Sequence, residues 1–291
     1  MNEEQTRFIS SSAFQAMPLI ENRAERISSI YPENSKGVAL VIHGLNLKPD
    51  KMDSIITLLT QFDIDVLKMS LSGHGKNYTP KIHIDTGSAR METLKRVSFR
   101  LWHEETYQAY DIAKKMSRKK GVPLFLVGYS LGGLMGLDLF ATCSAAYFNR
   151  MVLLAPALNL HTFYYAAKFL LPFPKLVIPS FSPVSYRANF GTPVSAYCAL
   201  FEAIKHLHQN MTSRLNVPTI VIIDPQDELV PYKRLEKTIK SQNLDHWEFH
   251  LLKKSEKDAK KIPHHLIIDE STVGKDSWKK MKHLFIRHLL G

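Results

Sequence analysis

Six short runs of mostly aliphatic residues limit this chain to one broad class of fold. They are GVALVIHGL at 37–45, IDVLKMSL at 64–71, VPLFLVGYS at 122–130, RMVLLAPAL at 150–158, VPTIVIIDP at 217–225 and HWEFHLL at 246–252. Each is too short for a typical helix, and most are continuous rather than alternating, as in strands buried on both faces. Helical patterning lies between most of them, at 50–62, 103–120, 132–146, 232–242 and 275–290. Strands alternating with helices predict an α/β fold, a mostly parallel sheet with helices on both faces. The residues before Gly37 predict one or two leading edge strands.

One segment breaks the alternation. From Asn159 to Asn216 no strand–helix unit is evident, and the chain is rich in Phe, Tyr, Leu and Pro. Open α/β sheets bind ligands beyond the carboxyl ends of their strands. An aromatic insertion at this point therefore predicts a lid over that edge, with a helical excursion that simply packs on the core as the alternative. The expected organisation is a core of residues 1–158 and 217–291 and a helical cap of residues 159–216. Phe163, Tyr164, Tyr165, Phe169, Phe173 and Phe181 crowd into the insertion. Some must pack on the core, because together they would otherwise expose a large apolar patch. The others are expected to form an apolar tunnel that binds substrate.

Composition excludes several classes. The 291 residues include 38 Lys and Arg against 27 Asp and Glu, a formal net charge of +11. The basic runs KKMSRKK at 114–120, KKSEKDAKK at 253–261 and KKMKH at 279–283 are separate and carry no interleaved aromatics. They read as solvated helix faces and a loop, so no nucleic-acid partner is expected; peripheral contact with an anionic membrane surface is the other use for such charge. No apolar stretch reaches the ~18 residues that span a bilayer. The opening MNEEQTRFIS lacks the basic-then-apolar pattern of a secretory leader, which predicts a cytoplasmic location. Cys143 and Cys198 then read as buried thiols rather than a disulfide. In HEETY at 103–107, Tyr107 stands where a zinc helix needs its second histidine, so no metal site is predicted.

The third run ends in Gly128-Tyr129-Ser130-Leu131-Gly132, a G-x-S-x-G pattern between a predicted strand and a predicted helix. That is the setting of a nucleophile elbow. A turn this sharp strains the serine backbone, and side chains two residues before and after would clash. The Leu131 N–H falls at the helix N-terminus, where donors and dipole favour negative charge. A serine hydroxyl needs a base and a group to orient that base. Asp227 lies in the loop beyond the fifth run, with Asp224 as its rival nearer the strand end, and both His264 and His265 follow the last run. His43 and His74 read as scaffold close to the site, and Trp102 as a core anchor.

With these partners the chain resembles the α/β-hydrolase superfamily. Within it the chain is similar to the capped carboxylesterase, monoacylglycerol lipase and lysophospholipase group. VIHGL at 41–45, LSGHG at 71–75, GYSLGG at 128–133 and DPQDELVP at 224–231 carry the resemblance, together with HHLIID at 264–269. The last looks like that group's His-x-x-x-x-Asp ending and so points to His264. The resemblance implies a catalytic set of Ser130, Asp227 and His264, with the N–H groups of Leu45 and Leu131 as oxyanion hole. It implies hydrolysis of a small-molecule ester or lipid with an apolar acyl chain, and no cofactor. A thioesterase or peptidase of the same fold is the rival enzyme, and an inactive binding or scaffold module the rival outside enzymes.

Overall fold

The computed structural model describes residues 23–254 and 262–291. The opening ten residues and most of the central basic run lie outside the described residues.

The elements run β1 (Ala24–Ile27), β2 (Gly37–Ile42), α1 (Asp53–Gln61), β3 (Ile64–Met69), α2 (Thr86–Leu94), α3 (Phe99–Lys120), β4 (Leu124–Tyr129), α4 (Leu131–Thr142) and β5 (Arg150–Leu154). Then come β6 (Val177–Pro179), β7 (Gly191–Pro193), α5 (Val194–Asn210), β8 (Thr219–Ile223), α6 (Tyr232–Ser241), β9 (Trp247–Leu251), the short α7 (Glu270–Val273) and α8 (Lys275–Leu290). Each of the six apolar runs supplies one strand. The main sheet has the order β1-β3-β2-β4-β5-β8-β9. Only β1 is antiparallel, pairing with β3 at the edge. All residues of β2, β4 and β8 are buried, as continuous apolar runs require.

The chain leaves β2 for β3 on one side and returns across β2 to β4 on the other. This reversal is the topological switch point, where the ends of parallel strands leave a crevice. Ser130 follows β4 directly and so stands at that point.

Two elements differ from expectation. Helix α2 is absent from the sequence reading because TGSARMETL has little amphipathic pattern and carries Gly and Ser in its first turn. It forms because the Asp85 side chain accepts the Gly87 and Ser88 N–H groups, and Ala89, Met91 and Leu94 turn inward. The helical insertion is also revised. Its last helix, α5, packs on α3 and α4, burying Ala196, Ala199, Leu200, Ala203, Ile204 and Leu207. It therefore belongs with the helix layer on the sheet. The segment before it holds a 3-10 helix at Thr162–Leu170 and the two-stranded β6–β7 pair.

The cap aromatics also differ from expectation. Phe163, Phe169, Phe173 and Phe181 are exposed, the last two by 63% and 95%. They stand in solvent rather than in a closed tunnel. Tyr164 and Tyr165 pack against the core, Tyr165 stacking on Phe201. A 3-10 helix explains the split: residues three apart eclipse, so Tyr164, Ala167 and Leu170 share the covered side while Phe163 and Phe169 face out. Cys143 and Cys198 are half-buried rather than buried, and both are free thiols. Trp102 is fully buried.

Candidate active site

Ser130 has φ 51° and ψ −114°, the strained backbone of a sharp strand-to-helix turn. The small neighbours are needed for close approach. A Cβ on Gly128 would lie 2.5 Å from the Gly133 Cα, and one on Gly132 would lie 2.2 Å from the Ile42 carbonyl oxygen. The turn presents the Ser130 hydroxyl to a histidine, which is His265 and not His264. The hydroxyl donates to His265 Nε2 at 2.9 Å, and His265 Nδ1–H donates to Asp227 Oδ2 at 2.8 Å.

The expected assignment is therefore corrected by one residue. His264 Nδ1–H donates to Asp224 Oδ2 at 2.9 Å, forming a second Asp–His pair beside the first. Asp269, whose spacing had singled out His264, instead caps α7: its side chain accepts the Thr272 N–H in a reciprocal capping box. Each member of the Asp pair is ordered by its own loop. Asp227 Oδ1 accepts the N–H groups of Leu229 and Val230, while Asp224 Oδ1 accepts that of Gln226. Asp227 thus keeps Oδ2 for the histidine that reaches the serine.

The loop after β2 comes close to the same serine: a Cβ on Gly44 would lie 3.2 Å from the Ser130 Cβ. Asn46 N–H donates to His74 Nε2 at 2.9 Å, and Leu47 N–H to the Gly44 carbonyl. Among the described residues, the Leu45 N–H meets no acceptor. The Leu131 N–H opens α4 and has no intrahelical partner. The two donors expected of an oxyanion hole are thus both unengaged.

Two buried histidines and a buried carboxylate hold this loop. His43 Nδ1–H donates to the Gly44 carbonyl, and its Nε2 accepts the Leu71 N–H. His74 sits 4.6 Å from His43, ring to ring. Glu105 on α3 accepts the Ser72 N–H, the Ser72 hydroxyl and an Asn77 N–H, fixing the loop that carries His74. Glu105 was not singled out in the sequence: it lies on a mostly polar helix, and only tertiary contact reveals that its side chain is buried.

Both histidines act as acceptors, so both are neutral. Burial pushes His43 down to about 4 from 6.5, and burial with the adjacent His43 ring pushes His74 well down. A histidine whose folded pKa is depressed binds protons more readily when unfolded. Its stabilising effect is complete above about pH 6.5 and is lost as pH falls toward 4. For His43 alone the swing is roughly 3 kcal/mol at 1.36 kcal/mol per unit. Urea unfolding at pH 7, 5.5 and 4 is expected to show this loss, and unchanged stability across the range would contradict it.

Residues 33–192 match the model of the Hydrolase_4 family, described as serine aminopeptidase, S33. The match covers more than half the chain and includes Leu45, Ser130 and Leu131. No curated protein matches the sequence. Among solved structures, a metagenome-derived lipolytic enzyme of the LipS and LipT pair is 18% identical, with TM-score 0.70 over 93% of this chain and 98% of that one. A soluble variant of monoglyceride lipase from Saccharomyces cerevisiae is 15% identical, with TM-score 0.70 over 91% of both chains. Monoacylglycerol lipase from Paleococcus ferrophilus is 16% identical, with TM-score 0.63 over 91% of this chain and 98% of that one. At such identities the likeness is one of fold, and that fold is the α/β-hydrolase fold. With the family match through the elbow and the parallel sheet behind it, the chain belongs to the serine aminopeptidase S33 family of α/β-hydrolases.

Proposed function

We propose that the protein is a serine hydrolase that cleaves carboxylic esters with an apolar acyl chain. The carrying observation is the unbroken relay from Asp227 through His265 to the Ser130 hydroxyl, with bonds of 2.8 and 2.9 Å. Ser130 Oγ attacks the ester carbonyl carbon while His265 Nε2 takes its proton. The tetrahedral oxyanion accepts hydrogen bonds from the Leu45 and Leu131 N–H groups. Fixed donors of this kind typically supply about 3–4 kcal/mol each. The intermediate collapses, and His265 gives its proton to the departing alcohol. Water then attacks the acyl-enzyme with His265 again as base, releasing the acid and restoring Ser130. Asp227 keeps the proton on Nδ1 and stabilises the imidazolium between these steps.

The family's description allows an aminopeptidase. Such an enzyme needs a free carboxylate to receive the substrate's ammonium group. The three carboxylates that hydrogen-bond the histidine pair are already engaged: Asp224 by His264, Asp227 by His265, and Glu228 by the N–H groups of both histidines. This favours a neutral ester. The exposed apolar side chains of the cap favour a lipid-like one. Phe163, Phe169, Phe173 and Phe181 are joined there by Leu171, Leu176 and Val184, with Lys168 and Lys175 among them. A surface so composed suits contact with an apolar phase bounded by anionic groups. Among the described residues no helix is long and apolar enough to cross a membrane.

Each acyl CH2 that binds to apolar surface adds about 0.8 kcal/mol, roughly fourfold. On p-nitrophenyl esters, kcat/KM is expected to rise from acetate to medium chains. Replacing Phe169 and Phe181 with serine is expected to flatten the rise. A steady decline from acetate would reject the apolar acyl chain.

A further inference from the structure

His265 stands on a turn, not on a helix or strand, yet its ring must stay fixed to within a fraction of an ångström. The turn is Pro263–Leu266, closed by the Leu266 N–H on the Pro263 carbonyl at 3.0 Å. Two charged side chains bind its backbone. Glu228, the residue after Asp227, accepts the His264 N–H on Oε1 at 2.7 Å and the His265 N–H on Oε2 at 2.9 Å. Lys254, three residues beyond the end of β9, donates from Nζ to the carbonyls of Pro263 and Leu266, the latter at 2.8 Å. Anion and cation thus meet opposite ends of the turn's peptide dipoles. The His265 carbonyl is taken by the Tyr129 hydroxyl at 3.2 Å, from the strand that carries Ser130.

Lys254 is the unusual member. It is only 8% exposed, and lysines are seldom so covered without a partner. Its hydrogen bonds go to the turn's carbonyls. Burial pushes its ammonium down to about 8, while the nearby carboxylates of Asp224, Glu228, Asp227 and Asp269 pull it back up. An ammonium held there against burial serves the turn it binds.

We propose that Glu228 and Lys254 are positioning residues for His265, a charged clasp that holds the turn so that Nε2 stays within reach of the Ser130 hydroxyl. This rests on the reading of Ser130 and His265 as nucleophile and base. Glu228 joins the base's backbone to the loop that bears the acid, so acid and base move together. Lys254 joins the same turn to the sheet edge. Displacing a catalytic group by about 1 Å can lower turnover on the order of 100-fold.

The test uses the full chain with Glu228→Gln and Lys254→Met. Glutamine keeps one acceptor and faces the other N–H with a donor. Methionine keeps the apolar stem and removes the ammonium. In both, kcat on a soluble p-nitrophenyl ester is expected to fall about 10- to 100-fold with KM changed less than about threefold. Labelling of Ser130 by a fluorophosphonate is expected to slow by a similar factor, because it reads nucleophile activation without the ester. The acid limb of the kcat/KM profile is expected to move to lower pH in Glu228→Gln, which loses an anion near the base, and to higher pH in Lys254→Met, which loses a cation. A purely structural role would lower Tm without these opposed displacements. Should Lys254→Met fail to fold, Glu228→Gln carries the test, since Glu228 is exposed and buries no charge. Wild-type kcat and labelling in Glu228→Gln would overturn the clasp. A wild-type protein whose Ser130 does not label would overturn the hydrolase reading itself.

Discussion

Ser130→Ala is expected to abolish ester turnover, with a loss on the order of 10^5- to 10^6-fold in kcat, while the protein stays folded. The size follows from what the hydroxyl does. Removing a serine nucleophile from an intact relay leaves only what the oxyanion donors and binding supply to water attack, so its loss resembles that of the whole catalytic set. Stability depends on different features. The strained φ of 51° belongs to the backbone turn and persists with alanine, whose Cβ is the same. The hydroxyl's one side-chain hydrogen bond is to His265, and a neutral hydrogen bond contributes about 0.5–1.5 kcal/mol net. Tm is therefore expected to move by no more than about 3 °C. Parallel measurement of kcat, fluorophosphonate labelling and thermal unfolding checks this. Retention of more than about a tenth of the activity would remove Ser130 from the nucleophile's place, since tenfold corresponds to only about 1.4 kcal/mol.

The elbow was legible because its chemistry is local. A strand, two glycines and a serine lie within nine residues, and the steric demand on Gly128 and Gly132 depends on backbone that any such turn brings close. The sheet was legible for a similar reason, since fully buried parallel strands must be continuous apolar runs. Asp227 could be placed because it lies just past the end of β8. The choice between His264 and His265 could not. Adjacent residues on an irregular turn point in different directions, and each finds an aspartate three residues from the other's partner. Only the turn's tethering to Glu228, Lys254 and Tyr129 decides which ring faces Ser130. Lys254 itself was hidden in a basic run that reads as solvated. The cap misled in another way: aromatic composition indicates an apolar surface but not what covers it. The 3-10 turn at Thr162–Leu170 then sends Phe163 and Phe169 outward.

The two histidines are expected to separate by readout. His265→Ala is expected to match Ser130→Ala in turnover, because the hydroxyl then has no base and Asp227 has no imidazolium to stabilise. It also leaves Asp227 Oδ2 without its partner in a side chain only 1% exposed, although Asp227 Oδ1 keeps its two backbone N–H donors. His264→Ala removes no group that touches Ser130, and turnover is expected to stay within about tenfold of wild type. It does, however, leave the Asp224 Oδ2 without its partner in a side chain only 2% exposed. A buried acceptor left unpaired costs about 1–3 kcal/mol, more when charged. Both variants strand a buried carboxylate oxygen, so His264→Ala and His265→Ala are expected to lower the denaturant midpoint by similar amounts, while only His265→Ala abolishes activity. Similar losses of stability with very different losses of activity are the informative result, because a general loosening of the loop would lower both properties together in both variants. If His264→Ala were the inactive variant and His265→Ala retained turnover, the base would be His264, and the turn would have to present the other ring to Ser130 during catalysis.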